Sequence, residues 1–241
     1  MGTQAQSLLF AVAALLSLQG GCATHPPPPA RPAAASGTIV AFGDSITRGY
    51  GLPVGAGWVE LLSARRKTDQ GADAAPVFNA GGNGNTSSEG MLRMETDVLP
   101  HLPGIVFVEF GGNDAVHDKR HVSVDDFERN LLIICQRLKD HGGRVVLVTF
   151  PPIVDRWHIY YSDPYYQRWG GLDRCVEEYR ERTRQVAQRS GLPLFDLDRF
   201  LREKITKDGA EAYIQPDGVH LTPRANVAIA EAVRQFLVRN N

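Results

Sequence analysis

Ile105-Val106-Phe107-Val108-Glu109-Phe110, followed at once by Gly111-Gly112-Asn113-Asp114, sets the fold class. A nearly continuous apolar, β-branched run of this length suits a strand covered on both faces, as in a parallel sheet. Val145-Val146-Leu147-Val148-Thr149-Phe150 and Thr38-Ile39-Val40-Ala41-Phe42 read the same way, with Val77-Phe78-Asn79 and Pro193-Leu194-Phe195 as shorter strands. The one acid in the first run, Glu109, reads as a buried, hydrogen-bonded carboxylate that orients the glycines after it.

Amphipathic helical stretches fill the intervals. Ser123 and Asp126 resemble a capping box ahead of Phe127, Leu131, Ile134 and Leu138 on one face, with Gly142-Gly143 as the stop. Residues 172–190 form a charged helix, with Glu178 and Arg182 at pairing distance and Gly191 beyond it. Thr222-Pro223 caps a last helix whose inward face is Val227, Ile229, Ala230, Val233, Phe236 and Leu237. Strand-helix alternation of this kind predicts an α/β fold, a three-layer α/β/α sandwich with a mostly parallel five-stranded sheet of flavodoxin-like type. In open sheets of that kind, function sits on loops beyond the carboxyl ends of the strands.

Composition agrees with a globular body. The chain has 241 residues, 43% hydrophobic and 22% charged, which excludes a wholly disordered or disulfide-stapled chain. With 26 Lys+Arg against 27 Asp+Glu there is no basic excess, so no nucleic-acid partner is expected. Arg31 is the only charged side chain among residues 1–36, however, so the charge is concentrated in the body. Leu8 to Leu18 is an apolar run too short to span a bilayer, which needs about 20 residues, and it fits the core of a secretory signal. Two endings remain open. Gly20-Gly21-Cys22 resembles a lipoprotein signal that acylates Cys22, although Gln19 departs from that motif. Gly21 and Ala23 alternatively make a cleavage site after Ala23. The reading is therefore a signal over 1–23, a Pro/Ala-rich tether over 24–36 and one domain over 37–241. The protein is expected to be exported, periplasmic or secreted, monomeric, and in contact with a membrane only through a lipid on Cys22.

Four loop blocks carry the chemistry: Gly43-Asp44-Ser45, Asn79 through Thr86 with Gly84 inside it, Gly111 through Asp114, and Asp217-Gly218-Val219-His220. Each alone is ordinary turn chemistry. Together, in this order, they resemble the GDSL/SGNH hydrolase superfamily over the whole body from about Thr38 to the last helix. The middle blocks are similar to single-domain bacterial esterase/lysophospholipase enzymes. The stretch from His121 to Phe150 and the ending Asp-Gly-Val-His-Leu-Thr resemble the isoamyl-acetate-hydrolysing esterase branch. The resemblance implies a serine esterase whose oxyanion donors are the Ser45 and Gly84 backbone N–H groups and the Asn113 side-chain amide.

The residue chemistry points the same way. A serine hydroxyl needs an adjacent general base, and Ser45 sits at a strand-to-helix turn where it can be exposed. Among the seven histidines His220 is the best base, because Asp217 three residues earlier can hold its tautomer. Asp44 and Asp114 read as loop organisers. His117 and His121 lie in a charged loop and lack the pattern of a metallohydrolase, so neither a metal nor a cofactor is expected. Cys135 and Cys175 read as separate buried thiols, with a disulfide in an oxidising compartment as the alternative. Trp157, Tyr160 and Tyr161 open an aromatic loop of unusual length, which is expected either to wall the substrate pocket or to pack on itself. The expected substrate is a small-molecule or glycan ester with a short acyl group; lysophospholipids, thioesters and non-catalytic binding of a carbohydrate or lipid are the alternatives.

Overall fold

The computed structural model describes residues 37–240. The signal, Cys22 and the tether lie outside them. The chain order is β1 (Ile39–Gly43), α1 (Ser45–Arg48), α2 (Trp58–Gln70), β2 (Val77–Gly81), α3 (Ser87–Asp97), β3 (Gly104–Glu109), α4 (Val124–Asp140), β4 (Gly143–Val148), α5 (Pro164–Gln167), α6 (Leu172–Arg189), β5 (Leu194–Phe195), α7 (Leu197–Asp208) and α8 (Pro223–Arg239). The sheet order is β2-β1-β3-β4-β5, and every pairing is parallel. The α/β reading therefore holds.

Both faces of the central strands are covered, which is why β1 and β3 read as unbroken apolar runs. All of β1 is buried, as is β3 after Gly104. On one face Phe107 meets Trp58 of α2 and Phe236 of α8, each edge-on at 6.2 Å between ring centres. Elsewhere in the core Phe127 of α4 packs edge-on against Tyr179 of α6 at 5.3 Å. Fully buried side chains of this size stabilise the fold by about 1.5–3 kcal/mol each.

Several boundaries differ from the sequence reading. Gly142 alone makes the left-handed turn after α4, and Gly143 is already the first residue of β4. The second strand runs to Gly81, because pairing with the whole of β1 recruits residues that lack strand propensity by themselves. Val227 faces outward and is exposed, so the buried stripe of α8 is Ala225, Asn226, Ile229, Ala230, Val233 and Leu237. Arg182 does not pair along its own helix but reaches across to Asp125 and Glu128 of α4. The caps of α4 and α8 form as read: Ser123 accepts from the Asp126 N–H and Thr222 from the Ala225 N–H, both at 3.2 Å. Cys135 and Cys175 are separate, buried and free. Among the described residues no helix is long and apolar enough to cross a membrane.

Because β1, β2 and β3 are parallel and aligned, Gly43 pairs with Gly81, and Phe42 with Val108. The loops carrying three of the four sequence blocks therefore leave the sheet at one edge.

Candidate active site

Ser45 is the first residue of α1, and its side chain is nearly buried. Asp44 caps this short helix by accepting the Ile46 N–H on Oδ1 at 2.8 Å. The Ser45 amide, at the helix start, lies beyond the reach of the helix's own carbonyls. The other end of the chain supplies an imidazole beside it. Ile214 bridges to Leu221, and the Gln215 N–H donates to the His220 carbonyl at 2.7 Å, which closes a tight turn over residues 215–220. Within it Asp217 Oδ1 accepts the Val219 and His220 N–H groups, both at 2.9 Å. Its Oδ2 lies 2.6 Å from His220 Nδ1, and His220 Nε2 lies 3.0 Å from Ser45 Oγ.

This arrangement fixes which ring nitrogen faces which partner. Burial works to raise the Asp217 carboxyl, but the His220 ring and the two amides outweigh it and hold Asp217 below the usual carboxylate range. An ionised Asp217 can only accept, so Nδ1 carries a hydrogen toward it and Nε2 is the ring nitrogen turned to the serine. Such a pair can draw the proton from Ser45 as its oxygen attacks.

The remaining blocks converge on the same place. Gly84 has φ +71, in the left-handed region, and a side chain there would meet only Arg120 at 3.6 Å. Backbone conformation, rather than crowding, is what calls for glycine at this position. The turn is closed by the Asn85 N–H donating to the Gly82 carbonyl, which leaves the Gly84 amide out of it. Asn113 Nδ2 donates to Asp44 Oδ2 at 2.8 Å and to the Asn85 carbonyl at 3.1 Å. An oxygen entering here would compete with Asn85 for the second hydrogen.

Two sets of residues that the sequence reading missed hold these loops. Arg93 of α3 donates to the carbonyls of Gly43 and Ala80, both at 2.7 Å, and to Asn85 Oδ1 at 2.6 Å, tying together the ends of β1 and β2 and the loop after β2. Its only sequence signal is the helical position. Tyr50 stacks at a tilt on His220, 4.4 Å between ring centres, and its carbonyl accepts from the Gln215 amide. Its sole signal is being five residues beyond Ser45. Asp114 accepts the Ser87 hydroxyl at 2.5 Å and the Ser87 N–H at 3.0 Å, and burial pushes it up to about 6. It organises the start of α3.

The aromatic loop divides between the two expectations. Trp157 lines a cavity of about 450 Å³ beside the 215–220 turn, together with Leu52, Pro53, Gln215, Pro216 and Pro223. Tyr166 is buried and its hydroxyl accepts the His117 N–H at 2.7 Å, Tyr160 stacks on Tyr166 at 5.3 Å, and Tyr165 stacks on His117 at 3.8 Å. Tyr161 is exposed. Most of these rings thus pack on one another, and Trp157 alone among Trp157, Tyr160 and Tyr161 lines that cavity. The loop also backs the 215–220 turn, because the Val154 N–H donates to the Gly218 carbonyl at 2.8 Å. Its root is held by Arg180, wholly buried, which gives its hydrogens to the carbonyls of Phe150, Pro151 and Asp173 and to the carboxylates of Asp173 and Glu177. Among the described residues no group of three or more His, Cys, Asp or Glu side chains is arranged to hold a metal ion.

Comparison with known proteins adds a family to this geometry. Residues 41–228 match the model of the GDSL-like lipase/acylhydrolase family. An uncharacterized lipoprotein, YqeF, of Bacillus subtilis is 31% identical over 217 residues, 81% of this chain and 87% of that protein. An arylesterase of Vibrio mimicus is 29% identical, covering 86% of this chain and 90% of its own length. The crystal structure of an acetyl xylan esterase, AlAXEase, superposes with a TM-score of 0.69 at 26% identity, over 83% of this chain and 98% of that one.

Proposed function

Since the chain belongs to the GDSL-like lipase/acylhydrolase family and is a carboxylic ester hydrolase, we propose that it is an exported serine esterase that removes small or short-chain acyl groups through an acyl-enzyme on Ser45. The observation that carries this reading is the unbroken line from Asp217 Oδ2 through both ring nitrogens of His220 to Ser45 Oγ, at 2.6 and 3.0 Å.

In the reaction, Ser45 Oγ bonds to the ester carbonyl carbon while its proton moves to His220 Nε2. The carbonyl electron pair moves onto oxygen, where the Ser45 and Gly84 amides and the Asn113 amide receive it. The bond to the leaving alcohol breaks as His220 returns the proton to it. Water then repeats the sequence on the acyl-serine, releasing the acid and restoring Ser45. Each step uses groups of this chain alone, so the proposal includes no cofactor.

His220 must face the leaving oxygen, so the alcohol side of the substrate lies toward the 215–220 turn. The 450 Å³ cavity beside that turn is lined by Trp157 and three prolines rather than by Ser45 or His220, and we assign it to a flat or ring-shaped alcohol such as a sugar or an aryl group. The likeness to an acetyl xylan esterase and to an arylesterase supports that choice. Export, with a lipid on Cys22 as one form of it, is supported by the nearly uncharged front of the chain and by the likeness to a lipoprotein.

A folded Ser45→Ala protein should lose hydrolysis of p-nitrophenyl acetate and labelling by a fluorophosphonate. Wild-type rates in that variant would overturn the assignment, and a wild type that a fluorophosphonate does not label would favour a non-catalytic binding module. A p-nitrophenyl ester chain-length series beside acetylated xylan tests the substrate.

A further inference from the structure

Two buried carboxyls beside the proposed oxyanion site have no part in the proton relay. We infer that Glu109 is a positioning residue: as a neutral carboxylic acid it donates its proton to the Asp44 carboxylate, which in turn holds the Asn113 amide and the start of α1. This rests on the proposed role of Asn113 as an oxyanion donor.

Glu109 is the last residue of β3 and is 3% exposed. Its Oε2 accepts the Thr47 hydroxyl at 3.0 Å. Its Oε1 is buried and receives no donor among the described residues. A bare carboxylate oxygen in that position is expensive, whereas a carboxylic acid puts a hydrogen there and needs an acceptor instead. Asp44 is the acceptor within reach. It is fully buried, its side chain and that of Glu109 interact directly, and its backbone N–H is 3.5 Å from Glu109 Oε2.

The surrounding charges leave one negative charge for the pair. From the loop after β3, Asp114 adds a further negative field. From α3, Arg93 gives its hydrogens to backbone carbonyls, Asn85 and Asp97. From α1, Thr47 offers a neutral hydroxyl. No cation among the described residues donates to either carboxyl, so the two do not both ionise. Asp44 is the better home for the charge, since the Ile46 N–H and the Asn113 amide both reach it at 2.8 Å. Burial and then the charge on Asp44 push Glu109 well above the carboxylate range, while burial lifts Asp44 to about 7. A proton on Asp44 instead would weaken one of the two acceptors that hold the Ile46 N–H and the Asn113 amide.

The test pairs two variants. Glu109→Gln keeps a neutral donor for Asp44 and an acceptor for Thr47, whereas Glu109→Met keeps the length and removes both. We expect Met to lower kcat roughly ten- to hundredfold, below the loss of an oxyanion donor itself, with KM little changed. The acid limb of its kcat–pH profile should move to higher pH, because Asp44 has lost a donor. Gln should restore most of the rate and leave the acid limb in place. Equal losses in the two variants, or a Met variant as fast as wild type, would overturn the inference. Should the Met variant not fold, infrared spectra decide alone. At alkaline pH, where Asp44 and Asp114 are ionised, the wild type should show the carbonyl stretch of a neutral buried acid and Glu109→Gln should lack it. Its absence from the wild type would overturn the assignment whatever the activity, whereas an active Ser45→Ala protein would overturn the function instead.

Discussion

Gly218, inside the Asp217–His220 turn, is the place where a single methyl group should separate geometry from composition. Its φ is +80, and a Cβ there would lie 2.6 Å from the Val154 carbonyl oxygen, 3.0 Å from the His158 nitrogen and 3.2 Å from Trp157 Cβ. Ordinary contact needs about 3.4 Å or more, so the turn and the 154–158 segment must part by about 0.8 Å. Holding alanine in the left-handed region costs roughly 1–2 kcal/mol. Separating the two backbones also weakens the Val154–Gly218 hydrogen bond, worth about 1 kcal/mol. Gly218→Ala should therefore lose roughly 3 kcal/mol of stability. Gly191, with φ +61 and open space within 4 Å of where a Cβ would sit, is the control; Gly191→Ala should lose only the roughly 1–2 kcal/mol of backbone strain. The rate distinguishes them further. A shift approaching 1 Å between catalytic groups can cost on the order of a hundredfold, so Gly218→Ala should lower kcat ten- to hundredfold on that scale, with Gly191→Ala unchanged. Thermal melts and p-nitrophenyl acetate kinetics on both variants provide the measurement. Equal melting temperatures and equal kcat for the two would refute the claim that the aromatic loop braces the acid-base turn.

Asp217→Asn should retain the fold and lower kcat by roughly 10⁴, since an amide nitrogen facing Nδ1 favours the tautomer whose Nε2 already carries a hydrogen; a loss below tenfold would remove Asp217 from the relay. Arg180→Met should destabilise by about 2–6 kcal/mol, because the buried Phe150 and Pro151 carbonyls lose their donor at roughly 1–3 kcal/mol each, whereas Asp173 and Asp198 keep Arg202 and Arg184; urea unfolding measures it, and an unchanged midpoint would be fatal to that account. Asp114 makes a signed prediction in pH. Its folded value, about 6, is above its ordinary 3.8, so between those values the native state binds the more protons and its contribution to stability falls as pH rises. Asp114→Asn should make the stability–pH slope less negative in that window, and a slope identical to wild type would contradict the burial argument.

The strand runs were legible because burial on both faces removes polar alternation, and Ile39–Phe42 and Ile105–Val108 carry no polar residue at all. The ends of elements were less so. Nothing local distinguishes Gly142 as a turn from Gly143 as a strand residue; pairing of Gly143 with Gly104 decides it. Val227 shares a helical stripe with buried neighbours but falls at its outer margin, which periodicity alone does not resolve.

For the site, the candidate residues were legible along the chain. Four short blocks in fixed order name Ser45, Gly84, Asn113, Asp217 and His220, and the three-residue spacing of Asp217 and His220 places them in one turn. Only the tertiary structure decided how they meet. Ser45 and His220 are 175 positions apart and come within 3.0 Å because a parallel sheet delivers every strand-end loop to one edge. The same folding set Tyr50 on His220, gave Arg93 two strand ends and one loop to hold and pressed Glu109 against Asp44. Those pairings depend on which faces and edges become neighbours, and distance along the chain carries no record of that.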